Sequence, residues 1–352
     1  MSEGRRLTVL DERRAALEMC GYCPKLCRET CPVSEATGRE ALIPWGKMSM
    51  TWYAARGDLE ADRDVAALPW ACTGCFACRE RCEHQNPVAE TLGAARAVYR
   101  ARGLAPAGSE AALRAFAKRR ERLSRRARAL DPGTNGRAAL VIGCGYLALA
   151  TDEAADVVHA AEGLLGDVHV LDGCCGLVRR EAGDAEGADA DRAALLAQAK
   201  GRPLVVADAG CALELRAHGA TTLVEVAAER LSRLEHAPEL AGPVRYHDPC
   251  RLSRGLGVTE APRAVLTRAL GHPPSEFEHR GSGTRCSGAG SLLPFTMPDA
   301  ARAIARARLD EHAELGGGTL VTACAASLRW FRLAGARAHD LSSVIARSLG
   351  RG

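Results

Sequence analysis

Apolar residues along this chain fall into short runs separated by helical stretches, and the runs come in matched pairs. Ala138–Ile142 and Val244–His247 each read as a buried strand, and each is followed by a cysteine, Cys144 and Cys250. Pro203-Leu204-Val205-Val206-Ala207-Asp208 is answered by Gly318-Thr319-Leu320-Val321-Thr322-Ala323-Cys324, and His218-Gly219-Ala220 by Ala334-Gly335-Ala336. Each copy closes on an apolar helix. Short β runs alternating with helices predict parallel sheets with helices packed on them, built twice. Upstream the pattern is helical. Ile43-Pro44-Trp45 followed by Lys47 to Arg56 reads as a helix with proline in its first turn, and a second helix is expected over Val88–Ala101. Ala111–Leu130 is helical and basic, and Asp131-Pro132-Gly133-Thr134-Asn135-Gly136 ends it with turn residues. The expected fold is α+β and multidomain: a helical domain over 1–102, a basic helical linker over 103–136, and two repeated α/β units over 137–240 and 241–352.

Composition narrows the class. Of 352 residues 47% are apolar but only 4% aromatic, so small aliphatic side chains fill the interior. A net charge of +4 gives no argument for nucleic acid. The linker cations Lys118, Arg119, Arg120, Arg122, Arg125, Arg126 and Arg128 read as a solvated helix ahead of a docking patch for an acidic partner. The longest apolar stretch, Ala138 to Ala150, is broken by glycines and is too short to span a bilayer. With no apolar leader and 15 cysteines, the expectation is a cytoplasmic protein with metal-bound thiolates, reaching a membrane only through a partner.

The cysteines carry the chemistry. Cys20, Cys23, Cys27 and Cys31-Pro32 form one run; Cys72, Cys75, Cys78 and Cys82 form another. Two sets of four close thiolates suit two [4Fe-4S] clusters. Zinc held by paired cysteines, in a metal-stabilised interaction module, is the alternative. The runs resemble those of two-cluster ferredoxins, with helices around them that suggest an all-helical variety. That resemblance implies exchanged fourth ligands: one cluster on Cys20, Cys23, Cys27 and Cys82, the other on Cys72, Cys75, Cys78 and Cys31. Two departures stand out. The gap from Cys23 to Cys27 is one residue longer than usual, and Glu83 follows Cys82 where proline is expected. His84 reads as a surface residue, or as a donor to cluster sulfur.

The downstream cysteines repeat as well. The first copy has Cys144, Cys174-Cys175-Gly176 and Cys211; the second has Tyr246-His247-Asp248-Pro249-Cys250, Cys286-Ser287-Gly288 and Cys324. These resemble the cysteine-rich CCG domains of heterodisulfide reductase. The order of modules is similar to the catalytic subunit of that enzyme, to the C subunit of anaerobic glycerol-3-phosphate dehydrogenase and to the iron–sulfur subunit of glycolate oxidase. The resemblance implies cofactor binding at Cys144, Cys174, Cys175, Cys211, Cys250, Cys286 and Cys324, and a further iron–sulfur cluster in the first copy. Here Asp208, Ser287 and Ser327 replace cysteines of the family pattern, so disulfide-reductase chemistry does not simply carry over. His247-Asp248 reads as a buried strand end with a turn cap, or as a proton relay. Gly143-Cys144-Gly145 lacks the third glycine of a dinucleotide fingerprint, so flavin or nicotinamide belongs on another chain. The expected function is that of an electron-transfer subunit. It would link a flavoprotein dehydrogenase, or an electron-transfer flavoprotein, to a quinone (through a membrane quinone-reducing subunit), disulfide or other acceptor. Reduction of a substrate at a cluster in the CCG domain is the alternative.

Overall fold

A computed structural model describes residues 6–133, 136–149, 152–237 and 243–350. Thr134 and Asn135 of the expected turn, and Ala150, lie outside the described residues. The chain divides into two compact units. The first comprises Met1–Ala117, Val178–Ala188 and Arg285–Arg306; the second comprises Lys118–Leu177, Asp189–Thr284 and Ala307–Gly352.

The first unit is helical. The helix Pro44–Arg56 begins on its proline, whose missing N–H costs nothing at that position, and ends at Gly57 with φ of 82°. Val88–Ala101 forms the second expected helix. The helix Arg14–Gly21 lies against Pro44–Arg56. Leu7, Leu17, Met48, Trp52, Trp70, Leu92 and Tyr99 fill the core beneath them. Each large apolar side chain buried there contributes about 1.5–3 kcal/mol. The cysteine runs interrupt the helices because their backbone turns left-handed at Lys25, Gly74 and Phe76, with φ of 69°, 63° and 60°.

Two parallel sheets build the second unit. Strands β1 (Ala138–Val141), β2 (Val168–Val170), β3 (Leu204–Val206) and β4 (Thr221–Thr222) lie in the order β2-β1-β3-β4. Strands β5 (Val244–His247), β6 (Thr319–Thr322) and β7 (Ala338–Asp340) lie in the order β5-β6-β7. Leu140 pairs with Val170 on one side and Val205 on the other; Val321 pairs with Tyr246 and with His339. The two sheets correspond, β1 to β5, β3 to β6 and β4 to β7. A parallel bridge from Arg245 to Ser275 occupies the place that β2 takes in the first copy.

The two copies share one core. The helices Glu153–Leu165, Leu223–Glu229, Glu260–Leu270 and Leu341–Ser348 pack on one another, and Val157, Leu164, Leu223, Val265, Leu266, Leu341 and Ile345 bury a continuous apolar layer. The basic helix runs over Ala107–Ala129. Its last turns are not the solvated linker that their charge suggests. Leu123 and Ala127 enter the shared core. Arg120 pairs with Asp191 at 2.6 Å and Arg128 with Asp172 at 2.5 Å, while Arg126 donates to the carbonyl of Leu147 at 2.9 Å. The arginine heads find partners on the elements that their stems cover, which propensity along one helix does not reveal.

Candidate iron–sulfur centres

In the first unit the two cysteine runs interleave. Cys20 closes the helix Arg14–Gly21, and burial pushes its thiol up to about 12, with Cys27, Cys23 and Cys82 adding repulsion. Burial likewise raises Cys27 to about 11, with Cys23, Cys82 and Cys31 contributing. Cys82 of the second run thus stands among the sulfurs of the first. Cys78 is raised well above the usual thiol range by burial and then by Cys72, Cys75, Cys27 and Cys31. Cys31 reaches the second group through a lysine: Lys47 Nζ lies 3.3 Å from Cys31 Sγ, and its further charge partners are Cys72 and Cys78.

These thiols need a cation to ionise, because burial alone holds the proton on sulfur. The donor set suits iron–sulfur cores on its chemistry: eight soft sulfurs, with N–H groups aimed at several of them. Asn86 Nδ2 donates to Cys20 Sγ at 3.0 Å and to the Ala16 carbonyl at 2.9 Å. The Gly74 N–H points at Cys72 Sγ at 3.4 Å. The same Cys-X-Gly turn recurs twice, with the Gly176 N–H 3.3 Å from Cys174 Sγ and the Gly288 N–H 3.4 Å from Cys286 Sγ. At Gly288 the turn requires glycine, since φ is +79° and a Cβ would meet the Ala301 carbonyl oxygen at 2.3 Å. Among the described residues no three His, Cys, Asp or Glu side chains converge closely enough for a single metal ion. Ligands of a cubane are spread around a larger body and need not meet.

In the second unit the cysteines gather at strand ends. Cys144 follows β1, Cys211 lies just beyond β3, and Cys174 and Cys175 follow β2. Cys175 Sγ donates to Cys211 Sγ at 3.1 Å, and Cys174 interacts with both Cys144 and Cys175. Accepting from Cys144 and from the Gly176 N–H pulls the Cys174 thiol down, while hydrogen bonding to the neighbouring sulfurs, then burial, holds Cys175 up. Asp208, in the place of a family cysteine, caps the helix Ala209–Leu215 through Gly210 and Cys211 at 2.9 and 3.3 Å. Its second oxygen accepts from the Ala325 N–H of the other copy at 3.3 Å. Cys324 is raised to about 12 by burial and by Asp208, with Ser327 donating to its sulfur and Cys250 nearby. Cys286 falls in the first unit, with Arg285–Arg306.

Residues 16–86 match the 4Fe-4S dicluster domain family and residues 244–329 match the CCG cysteine-rich domain family. The chain is an iron–sulfur protein related to heterodisulfide reductase subunits. It is 38% identical over 81 residues to the D subunit of dihydromethanophenazine:CoB–CoM heterodisulfide reductase of Methanosarcina barkeri, covering 23% of this chain and 20% of that one. It is 30% identical over 100 residues to the B subunit of fumarate reductase (CoM/CoB) of Methanothermobacter marburgensis, covering 28% of this chain and 20% of that one. A Chromohalobacter salexigens protein named "Probable membrane-anchored ferredoxin" is 41% identical over 92 residues, covering 26% of this chain and 14% of its own length. The chain therefore matches a fifth or less of the length of these relatives. No helix among the described residues is long and apolar enough to cross a membrane.

The remaining candidates of this iron–sulfur protein are structural. His247 is fully buried, and burial, then Arg308 and Arg254, depress its pKa well below the usual histidine range. It accepts from Arg308 Nε at 3.3 Å and packs edge-on to Phe331, a neutral strand end rather than a proton relay. Asp248 does not cap the turn after it. Arg263 takes its carboxylate at 2.8 and 2.9 Å, because a buried charge is held by the best donor in reach. His84 is exposed, and Asn86 supplies the sulfur hydrogen bond two residues on. Neither Asn86 nor Lys47 stands out by spacing; the one signal for Lys47 is a cation among apolar neighbours in Trp45-Gly46-Lys47-Met48.

Asp340 gives this unit a pH dependence. Burial raises its carboxyl from 3.8 to about 7, although Tyr146 and Ser342 donate to it at 2.7 and 2.8 Å. A carboxyl raised on folding stabilises the native state fully below its unfolded pKa, and that contribution is lost as pH climbs through the folded value. The native protein should therefore weaken between about pH 4 and 7 through this residue, and Asp340→Asn should flatten that part of a urea-denaturation pH profile.

Proposed function

We propose that the chain passes single electrons between a flavoprotein and a quinone, a disulfide or another carrier, as one subunit of a redox complex. In this reading Cys20, Cys23, Cys27 and Cys82 hold one [4Fe-4S] cluster, and Cys31, Cys72, Cys75 and Cys78 hold a second. The observation that carries it is the interleaving of the runs, with Cys82 among the first three sulfurs and Cys31 tied through Lys47 to Cys72 and Cys78. The clusters, when bound, supply one-electron redox chemistry. The chain's own part is to bury the sulfurs, direct N–H groups at them and keep water away. Met19, Tyr22 and Leu26, interspersed with the first run, are exposed, with Tyr22 at 76%. Such apolar side chains beside a ligand loop support contact with a partner there. In the second unit Cys144, Cys174, Cys175 and Cys211 can hold a further cluster.

Anaerobically purified protein is expected to contain about eight irons, with matching acid-labile sulfide, for the two N-terminal clusters. More would be found if the second unit is loaded. A colourless preparation holding zinc and no sulfide would overturn the reading in favour of a zinc-stabilised interaction module.

A further inference from the structure

One turn into the helix Pro44–Arg56 the first unit buries an ammonium group. Lys47 is 2% exposed. Its Nζ contacts Cys31 Sγ at 3.3 Å, and among the described residues no carboxylate pairs with it. Its depth is set by the residue before it: a Cβ on Gly46 would lie 2.7 Å from the Ala41 carbonyl oxygen, so only glycine lets the helix press onto that turn. A buried cation without a carboxylate persists only where another negative charge faces it.

Among the described residues nothing equivalent faces the other group. Cys20 receives a hydrogen bond from Asn86, a neutral amide. The cations near that group are more exposed than Lys47: Arg81 is at the surface, Lys25 and Arg28 pair with Glu40 at 3.5 and 2.7 Å, Arg14 pairs with Glu18 at 3.7 Å, and Arg79, ahead of Cys82, pairs with Glu80 and Glu90 at 3.7 Å. Water and salt screen such pairs. Arg96, which acts on Cys72, is spent on the carbonyls of Pro69 and Cys72 and on Glu181. Each added electron makes an iron–sulfur centre more negative, and a fixed ammonium in a poorly solvated interior stabilises that state most.

We propose that Lys47 makes the centre held by Cys31, Cys72, Cys75 and Cys78 the more easily reduced of the two, so that an electron delivered to this unit comes to rest there. The proposal rests on the ligand assignment above. At this range and an effective dielectric of about 20, a unit charge is worth at least about a tenfold change in an equilibrium constant.

The test is a dithionite titration of full-length, anaerobically purified protein, followed by electron paramagnetic resonance, with iron and sulfide measured on each sample. In Lys47→Gln, which keeps a donor and loses the charge, iron should remain at about eight per chain. The higher of the two midpoints should then fall by tenfold or more in the reduction equilibrium, about 59 mV per decade for one electron, and the lower should stay. Lys47→Arg keeps the charge and should leave both midpoints within about threefold of the wild type. Full iron with both midpoints unmoved in Lys47→Gln, or a fall in the lower one only, overturns the role of Lys47 and leaves the ligand assignment standing. If Lys47→Gln drops to about four irons, Lys47→Arg decides, and a tenfold shift there would place the effect in shape rather than charge and overturn the proposal. Wild-type protein without iron or sulfide overturns the ligand assignment itself.

Discussion

Cys82→Ala is expected to lower the iron content from about eight to about four per chain, and the four lost should be those of the first cysteine run. Pairing of variants reads this out directly. Adding Cys20→Ala to Cys82→Ala should remove no further iron, since both changes strike one centre. Adding Cys72→Ala should remove nearly all of it. The contrast follows from where the side chains stand: Cys82 presses on Cys20 and Cys27, across more than fifty residues of chain. The reverse pattern, with Cys82→Ala and Cys72→Ala losing the same four irons, would mean that each run serves its own centre. Iron and sulfide analysis of the three anaerobic preparations decides between them.

Arg263→Leu should cost the fold about 3–5 kcal/mol, the usual loss when one partner of a buried ion pair is removed. Arg263 binds Asp248 with two nitrogens and reaches Glu276 Oε1 at 2.7 Å. Burial works against its charge, and the hydrogen bonds and charges of the two carboxylates more than restore it. Asp248 is 1% exposed, so the leucine variant leaves a carboxylate in the interior with, among the described residues, the Gly281 N–H as its remaining hydrogen-bond donor. The surface pair of Arg302 and Asp299, with Arg302 63% exposed, serves as control. Arg302→Leu should change stability by about 1 kcal/mol or less. Urea midpoints followed by far-ultraviolet circular dichroism compare the two. A similar small loss in both would show that water reaches Asp248.

The fold was legible where side-chain pattern and backbone need coincide. β1 spans the apolar run Ala138–Val141, and Pro44 begins its helix because its ring suits a first turn. Val88–Ala101 was equally plain, an amphipathic stretch between Pro87 and Gly103. The matched strands of the two copies followed from the same logic. What pattern did not show was where each copy turns its helices. The faces of Glu153–Leu165 and Leu341–Ser348 look alike whether they meet solvent, a partner or one another, and only tertiary packing makes them one core.

At the candidate centres, cysteine type and spacing pointed to the chemistry, because few other uses of thiols need four within a dozen residues. The side chains that act on those sulfurs were hidden. Asn86 meets Cys20 across 66 positions and Lys47 meets Cys31 across 16, distances over which no local rule operates. The basic helix misled for a related reason. Charge along one helix describes its composition, whereas Arg120 and Arg128 find Asp191 and Asp172 only after the chain has folded back.

Asp208 bears on which parts of the protein depend on metal. Its carboxylate ties the first turn of Ala209–Leu215 to the first turn of Ala325–Leu333, and both ties are ordinary hydrogen bonds. The two copies of the α/β unit are thus fastened to each other by a carboxylate where the family pattern has a cysteine, and this fastening asks for no metal. The thiols of the two N-terminal runs have no such substitute, since burial alone keeps them protonated.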